Sequence, residues 1–463
     1  MATATDVDTT SLLPHLSIGT GWERRGWVVL GLFFILSLVV LLVMPWQKAD
    51  FDAYHRAAVK VSQGKNPYVL DEFGVWFAYR YPPALAYLMT PLGHLDVGWA
   101  GRIWFVGNWL ALVGCLLLSL SLVLGPRPWP AETGAVALLA LYVCSCYTNQ
   151  TLFQGQVSLL MVLACLGWAV CQRAGRNFSG GVLLAAGCAL KLAPIVLVPY
   201  LVIRKDWRGL AGLVAGGLFF VLIPAPWVGV DGTVRLHLDW FRHAKVTQAP
   251  YMNYRVGNQG LMGMLSRLPP VSNGAVCYSA TNLAALENSY PFLVAGLAAA
   301  LYGWILRDRR ARGKSLSSEQ QRQRDNLYLV LLFLFMTLTH PSAWRCNFVS
   351  LLLPCTVLAQ HVCHRRPGYA ISRAVLILVF MAWIWSALQI VIPLAWTWPS
   401  ITQDTTVLDI LKGKIVDQNW WLGIWLLQGA HFWTALLVGG VCWWISNRNL
   451  EIRQAAFGSP RPR

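Results

Sequence analysis

Long apolar blocks recur along this chain, at residues 27–45, 100–124, 131–147, 156–171, 178–203, 209–228, 290–306, 326–340, 346–362, 374–395 and 420–445. A run of about 20 apolar residues, wound as a helix, crosses a hydrocarbon core of about 30 Å, so each block predicts a membrane helix. Block 178–203 is different. Arg173 and Arg176 precede it, and Arg204, Lys205 and Arg208 follow it, so both flanks belong on one membrane face. Lys191 and Pro194 interrupt its middle. The pattern predicts two half-crossing helices that turn around Lys191-Leu192-Ala193-Pro194, since broken helices are tolerated where they line a cavity. The expected fold class is all-α: a polytopic integral membrane protein with about 12 membrane helices, some half-crossing.

The charged positions orient this bundle. Glu23-Arg24-Arg25, Arg127, the Arg173/Arg176 and Arg204–Arg208 turns, the basic stretch 307–325, His361 to Arg373 and the tail from Arg448 fall on one side. By the positive-inside rule that side is cytoplasmic, and it holds both termini. Long stretches at 46–99, 229–289 and 397–419 then lie outside. The expected organisation is a disordered cytoplasmic N-terminus (1–26), one transmembrane domain (27–445) and a cytoplasmic tail (446–463). Met44-Pro45-Trp46-Gln47 lacks the small residues of a cleavage site, so block 27–45 reads as a retained anchor. Residues 52–63 carry Ala53, Ala57 and Ala58 against Arg56 and Lys60, the pattern of an amphipathic helix lying on the interface. The stretch 307–325 reads as a mobile inner loop.

Composition agrees. Of 463 residues, 56% are hydrophobic and only 12% charged, against roughly 25% charged in soluble domains. The 24 Trp residues suit aromatic belts at two interfaces. A formal charge of +17 would suggest nucleic acid in a soluble protein. Here the basic residues sit in short loops between apolar blocks, so topology and anionic lipid account for them. The 11 Cys show no metal or disulfide spacing. No Walker loop, nucleotide-binding glycine turn or metal-spaced cluster is present.

Polar residues that interrupt the apolar pattern are the candidates for chemistry. Asp50 and Asp52 closely follow the first block; as near neighbours on a helix they point about 200° apart and so do different jobs. They either mark the water interface or include a general base for an acceptor hydroxyl. Lys191, inside an apolar block beside Pro194, is either a snorkelling lysine or a phosphate contact. Gln154-Gly155-Gln156 and Asn258-Gln259-Gly260 are either turn formers or hydrogen-bond partners of sugar hydroxyls. Arg235, Arg242, Lys245, Arg255 and Arg267 load the second long outer loop with positive charge; most are solvated or lipid-facing, and one or two could neutralise a departing phosphate. His340-Pro341-Ser342-Ala343-Trp344-Arg345 breaks two apolar blocks, as a polar cap or as part of a cavity wall. Tyr79-Arg80-Tyr81-Pro82-Pro83 reads as an interfacial turn. Under one topology the interruptions at 50–56, 154–156, 191, 255–267 and 340–345 all map to the outer side, which is the mark of a site.

Asp50-Phe51-x-x-Tyr54, followed by Arg56-Ala57-Ala58 and Gly64-x-Asn66-Pro67-Tyr68, resembles the first outer loop of glycosyltransferase family 87. Tyr81-Pro82-Pro83 with Pro91-Leu92, Gly155-Gln156, Lys191 with Pro194, Asn258-Gln259 and Pro341-x-x-Trp344 are similar to further family landmarks in the same order, over roughly residues 45–355. Two positions depart from the pattern: Arg345-Cys346-Asn347 stands where a His often follows the Trp, and Val157-Ser158 follows Gly155-Gln156 in place of an Asn. The resemblance implies a GT-C-type helical bundle and a polyprenyl-phosphate-mannose-dependent mannosyltransferase. It implies metal-independent, inverting transfer without a cofactor, with Asp50 as general base and Asp52 as its neighbour. The implied partners are a polyprenyl-phosphate sugar donor, a glycolipid or glycan acceptor and membrane lipid, not nucleic acid. The substrate-contacting set expected is Asp52, Tyr54, Arg56, Gln154, Gln156, Lys191, Asn258, Gln259, Arg255, Arg267, His340, Trp344 and Arg345. The implied location is a bacterial inner (plasma) membrane with the site on the extracytoplasmic face.

Two other readings compete. A transporter or flippase for a lipid-linked or anionic solute would suit the broken helix and Lys191, but the chain shows no internal repeat. A membrane scaffold would scatter its polar residues without a common face.

Overall fold

The computed structural model describes residues 20–43, 49–70, 78–125, 129, 133–252, 258–266, 271–272, 275–276, 280–312, 316–363 and 430–456. The expected block at 374–395 and the expected outer stretch at 397–419 lie outside them. The helices, in chain order, are α1 (Thr20–Val43), α2 (Ala49–Ser62), α3 (Pro83–Leu88), α4 (Thr90–Gly93), α5 (Val97–Leu124) and α6 (Thr133–Gln154). They continue with α7 (Ser158–Arg173), α8 (Asn177–Leu190), α9 (Val198–Ile203), α10 (Trp207–Leu222) and α11 (Ala225–Met252). The last are α12 (Leu261–Ser266), α13 (Ala280–Arg312), α14 (Ser318–Leu338), α15 (Leu352–Cys363) and α16 (Ala430–Ala456). Short 3₁₀ turns at Ala193–Leu197 and Arg345–Leu351 lead into α9 and α15. The described strands are one two-residue antiparallel pair, Val271–Ser272 with Ala275–Val276. The protein is an all-α polytopic membrane protein.

Four described helices are long and apolar enough to cross a membrane: Val97–Leu124, Thr133–Gln154, Ala284–Ala311 and Arg345–Cys363. The pair Trp207–Leu222 and Ala225–Ala244 makes a fifth candidate bent by 102°. Five more apolar helices are shorter, among them Ser158–Arg173 and Asn177–Leu190. At 1.5 Å per residue these two rise only about 24 and 21 Å, less than a 30 Å core. The roughly twelve expected membrane helices are therefore, within the described residues, a mixture of full spans and short buried helices.

Three expectations change in detail. Block 209–228 is not one helix: it ends at Leu222, turns through Ile223-Pro224, and resumes as α11. Proline cannot donate to the turn behind it, and the chain bends there. The stretch expected as loop from 229 is helical to Met252, with a kink where Gly229 takes φ 72°. The stretch 307–325 is mostly helix, because Ser317 and Gln320 form a reciprocal cap that starts α14 at once.

The hairpin around Lys191 is present, and its feet meet. Asp206 accepts from Gln172 Nε2 at 3.0 Å and from Asn177 Nδ2 at 2.8 Å, so the chain enters and leaves residues 177–203 at one level. Its ascending arm α8 is nearly as long as α7, so Lys191 is brought level with Ser158 at the opposite end of α7, rather than to mid-bundle. Glycines let this hairpin sit tightly on α10: a Cβ at Gly181 or Gly212 would overlap the facing backbone, the small-residue contact of membrane helices.

The main core joins α5, α6, α7, α14 and α15, through side chains such as Phe105, Leu116, Trp168, Phe333 and Phe348. A smaller core holds α2 down on the bundle through Phe51, Tyr54, Tyr79 and Trp104.

The end of the bundle away from Asp50 is stapled by arginines. Arg324, only 2% exposed, grips Asp308 with two nitrogens, the Nε bond at 2.6 Å, and reaches Asn447 Oδ1 at 2.8 Å. Tyr328 donates to the same Asp308 at 2.6 Å. Arg322 donates to the Leu124 carbonyl at 2.9 Å, and Arg173 donates to the Leu122 carbonyl and Asn326.

Candidate active site

Helix α2 carries two different faces. Phe51, Tyr54, Ala57, Ala58 and Val61 are buried against the bundle, and Asp50 lies one turn before Tyr54. Asp52, Arg56 and Lys60, spaced four apart, occupy the opposite stripe. The carboxylates of Asp50 and Asp52 stand in the first turn, where the helix dipole favours negative charge.

Below Asp50 runs a connected set of polar side chains from five stretches of the chain. The Asp50 carboxylate lies beside the Gln156 amide. Gln156 is 6% exposed; its Oε1 accepts from Tyr54 OH at 3.4 Å, Tyr81 OH at 3.3 Å and Ser158 Oγ at 3.3 Å. Ser158 Oγ lies 3.4 Å from Asn347 Oδ1 and accepts from Lys191 Nζ at 3.4 Å. Lys191 also donates to Asn347 Oδ1, and Asn347 Nδ2 donates to the Ser342 carbonyl at 2.9 Å. Carboxylate and ammonium thus face one small region without a direct ion pair between them among the described residues.

Local geometry sets these positions. Gly155 takes φ 66°, and a Cβ there would meet Phe51 Cβ at 2.8 Å. Only glycine allows both the left-handed turn and the close seat of α2. Trp104 Nε1 fixes the turn by donating to the Gly155 carbonyl at 2.7 Å. Lys191 is extended (φ −159°, ψ 128°), ending α8 and projecting its side chain at the hairpin tip. Asn347 sits on the 3₁₀ turn, which Thr151 holds by donating to the Cys346 carbonyl at 3.0 Å.

Burial perturbs the carboxyl group of Asp50. Burial holds its carboxyl above the usual carboxylate range, and Gln156, Lys191 and Arg80 pull it part of the way back. Tyr54 and Tyr81 have their rings edge-to-face at 4.8 Å; burial, Tyr81 and Asp50 push Tyr54 above the usual phenol range, and burial and Asp50 push Tyr81 above it. They remain neutral donors. Among the described residues no three His, Cys, Asp or Glu side chains gather as a metal site.

The structure brings Asp50, Tyr54, Gln156 and Lys191 together, with His340 within electrostatic reach of Lys191. The nitrogen Nδ1 of His340 accepts from the Ser342 amide at 3.1 Å, so it also caps its own turn. Asn258 and Gln259 serve that turn. Asn258 Oδ1 accepts from the Gly260 and Ala343 amides at 3.0 and 2.9 Å, and the Gln259 backbone amide donates to the Ala343 carbonyl at 2.8 Å. Trp344 precedes the 3₁₀ turn, its carbonyl receiving the Asn347 amide at 2.8 Å. Arg345 faces Cys146 and Tyr147, on the α6 side. Gln154 closes α6 half-buried, and among the described residues no hydrogen bond joins it to the network. Arg56 lines a separate crevice with Lys60 and His243. Arg255 and Arg267 lie outside the described residues. Tyr81, Ser158 and Asn347 were not among the expected contacts; Ser158 and Asn347 lie in the two stretches, Val157-Ser158 and Arg345-Cys346-Asn347, noted above as departing from the resemblance.

Comparison with known proteins bears on the same chain. An α-(1→3)-arabinofuranosyltransferase of Mycobacterium tuberculosis (strain H37Rv) is 30% identical over 170 residues, 36% of this chain and 38% of that protein. A polyprenol-phosphate-mannose-dependent α-(1-2)-phosphatidylinositol pentamannoside mannosyltransferase of Mycolicibacterium smegmatis is 28% identical over 159 residues, 34% of this chain and 36% of that protein. The matched stretches thus span little more than a third of these relatives. No solved structure matches. Residues 79–319, more than half of the chain, match the model of glycosyltransferase family 87, and the chain belongs to that family.

Proposed function

We propose that the protein transfers a sugar from a polyprenyl-phosphate donor to a hydroxyl acceptor at the extracytoplasmic face of the membrane, with inversion. The observation that carries this reading is the polar network linking the Asp50 carboxylate to the Lys191 ammonium through Gln156, Ser158 and Asn347. Glycosyl transfer needs one group to take a proton and another to receive a phosphate. Both are here, separated by neutral hydrogen-bonding side chains suited to sugar hydroxyls.

In the proposed reaction the acceptor oxygen attacks the anomeric carbon from the side opposite the phosphate. Its proton passes to Asp50 Oδ. The bond from the anomeric carbon to the phosphate oxygen breaks, and its electron pair leaves with polyprenyl phosphate. Lys191 neutralises that charge as it develops. Polyprenyl phosphate is already a competent leaving group, so the chemistry asks for no metal or cofactor. Binding both substrates in line supplies much of the remaining acceleration. Mannose is the proposed sugar, in keeping with the Mycolicibacterium relative; the Mycobacterium relative favours arabinofuranose as the second reading.

The test is sugar transfer by purified protein in nanodiscs with EDTA, using radiolabelled polyprenyl-phosphate mannose, or polyprenyl-phosphate arabinose, and a lipid extract as acceptor. Wild type should move label and Asp50→Ala should not. Equal transfer by Asp50→Ala removes Asp50 as the base. Transfer from the arabinose donor alone reassigns the sugar, and transfer lost to EDTA sinks the metal-independent mechanism.

A further inference from the structure

A primary amide carries an acceptor at one end and two donors at the other, so the end of Gln156 that meets Asp50 decides whether the carboxylate is helped or repelled. Two groups that can only donate determine which end it is. The first is the Val157 backbone amide, which reaches Tyr54 OH at 3.5 Å. The Tyr54 oxygen accepts there, and its own hydrogen goes on to Gln156 Oε1 at 3.4 Å. The second is the Lys191 ammonium, which reaches Ser158 Oγ at 3.4 Å and also Asn347 Oδ1. Asn347 Oδ1 is served by Lys191 and by Cys346 Sγ at 3.7 Å, and the Ser158 hydrogen goes to Gln156 Oε1 at 3.3 Å. Tyr81 OH lies 3.3 Å from Oε1 and 3.2 Å from Nε2, so it accommodates either orientation and selects neither. Tyr54 and Ser158 are fully buried, which keeps water from taking over their bonds. Both chains thus start at a fixed donor and end on Oε1, and the Nε2 end is left for the Asp50 carboxylate. Reversed, the amide would turn its oxygen to the carboxylate and its NH₂ to two hydroxyls that already receive hydrogen bonds.

We infer that Tyr54 and Ser158 are positioning residues, whose hydroxyls hold the Gln156 amide in the one orientation that donates a hydrogen bond to Asp50. A donated hydrogen bond favours the ionised form of a carboxyl group, so the two hydroxyls govern how readily Asp50 takes up a proton. Lys191 at the hairpin tip, Arg80 and Tyr81 before α3, and Cys346 on the 3₁₀ turn also face Asp50. Asp52 lies on the opposite stripe of α2. These groups set the level from which the amide moves the carboxyl. That Asp50 uses its proton affinity as a base rests on the glycosyl-transfer reading; the orientation of the amide does not.

The experiment follows the protonated Asp50 carboxyl by its infrared C=O band, in a pH titration of the full-length protein in nanodiscs without substrate. In each background the spectrum of the matching Asp50→Asn variant is subtracted. Gln156→Met removes the amide and should raise the titration midpoint by roughly one pH unit, the scale of a hydrogen bond to a charged group. Tyr54→Phe combined with Ser158→Ala removes only two hydroxyls, leaves the amide free to turn, and should raise the midpoint by a comparable amount. The same pair of substitutions in the Gln156→Met background should add nothing. An unchanged midpoint in Gln156→Met, or in the double hydroxyl variant, overturns the inference. So does a hydroxyl effect that persists undiminished in the Gln156→Met background, because the hydroxyls would then act on Asp50 without the amide. A loss of thermal stability with no movement of the midpoint makes the hydroxyls structural and also overturns it. A protein that titrates as expected but moves no sugar fails the transfer reading and leaves the positioning roles standing.

Discussion

Both ends of the bundle bury charge, and they handle it in opposite ways. At the arginine-stapled end, Arg324 meets Asp308 with two nitrogens, Tyr328 adds a third donor, and Asn447 Oδ1 accepts from the third guanidinium nitrogen. Each charge is matched at contact distance, which is how a desolvated ion pair recovers its cost. At the Asp50 end, carboxylate and ammonium are kept apart by Gln156, Ser158 and Asn347, and burial leaves Asp50 with more affinity for protons than a carboxylate normally has. A fold that only needed stability would close that gap. Here the two charges are joined only through neutral hydrogen-bonding side chains.

The largest effect should come from Asp50→Asn. General-base catalysis contributes about 10²–10⁴-fold, so kcat in the transfer assay should fall by about that factor while thermal unfolding in detergent hardly moves. Arg324→Ala should do the reverse. Removing the guanidinium from beside the buried Asp308 costs about 3–5 kcal/mol; the unfolding midpoint should drop sharply, with kcat per folded molecule retained. If both variants lowered stability alike, the contrast between the ends would collapse.

Lys191→Gln should lower kcat/KM for donor by about 10–100-fold, from loss of a charge-assisted hydrogen bond to phosphate worth about 1.5–3 kcal/mol, and leave the acceptor KM in place. It should also shift the pH profile. Asp50 works as a base only when deprotonated, so kcat falls as pH falls through its raised pKa. Lys191 lowers that pKa, so removing its charge should move the acid limb to higher pH. A limb that stays put or moves down breaks the electrostatic link. The smallest effect is expected from Gly155→Ala, where positive φ and the contact with Phe51 cost about 1–2 kcal/mol. It should lower stability and kcat together, because it moves the turn bearing Gln156.

Much of this arrangement was legible in the sequence because membranes make polarity expensive. Lys191 and Asp50 stand out against apolar surroundings, and the basic flanks of 178–203 foretell a hairpin whose feet do meet at Asp206. The partners of these residues were harder to read. Ser158 and Asn347 are small neutral residues, unremarked by hydropathy, and the 3₁₀ turn that aims Asn347 has no periodicity to detect. Asn258 and Gln259 look like sugar contacts from composition, yet their described bonds brace a turn. The length of α11 was hidden for another reason: its charged face resembles loop sequence until its apolar residues are placed on helical spacing.

The hairpin has a consequence for biogenesis. Since residues 177–203 return to the level they leave, the segment adds nothing to the sidedness of the chain that follows. During insertion only its tip must pass through the hydrocarbon, and that tip carries a single ammonium, at a cost of about 2.5–3.5 kcal/mol on insertion scales. The arms are apolar and partition favourably by themselves. The device that delivers a lysine to the Asp50 end can therefore enter the bilayer late, sliding in beside α7 and α10, with the orientation of every later helix already independent of it.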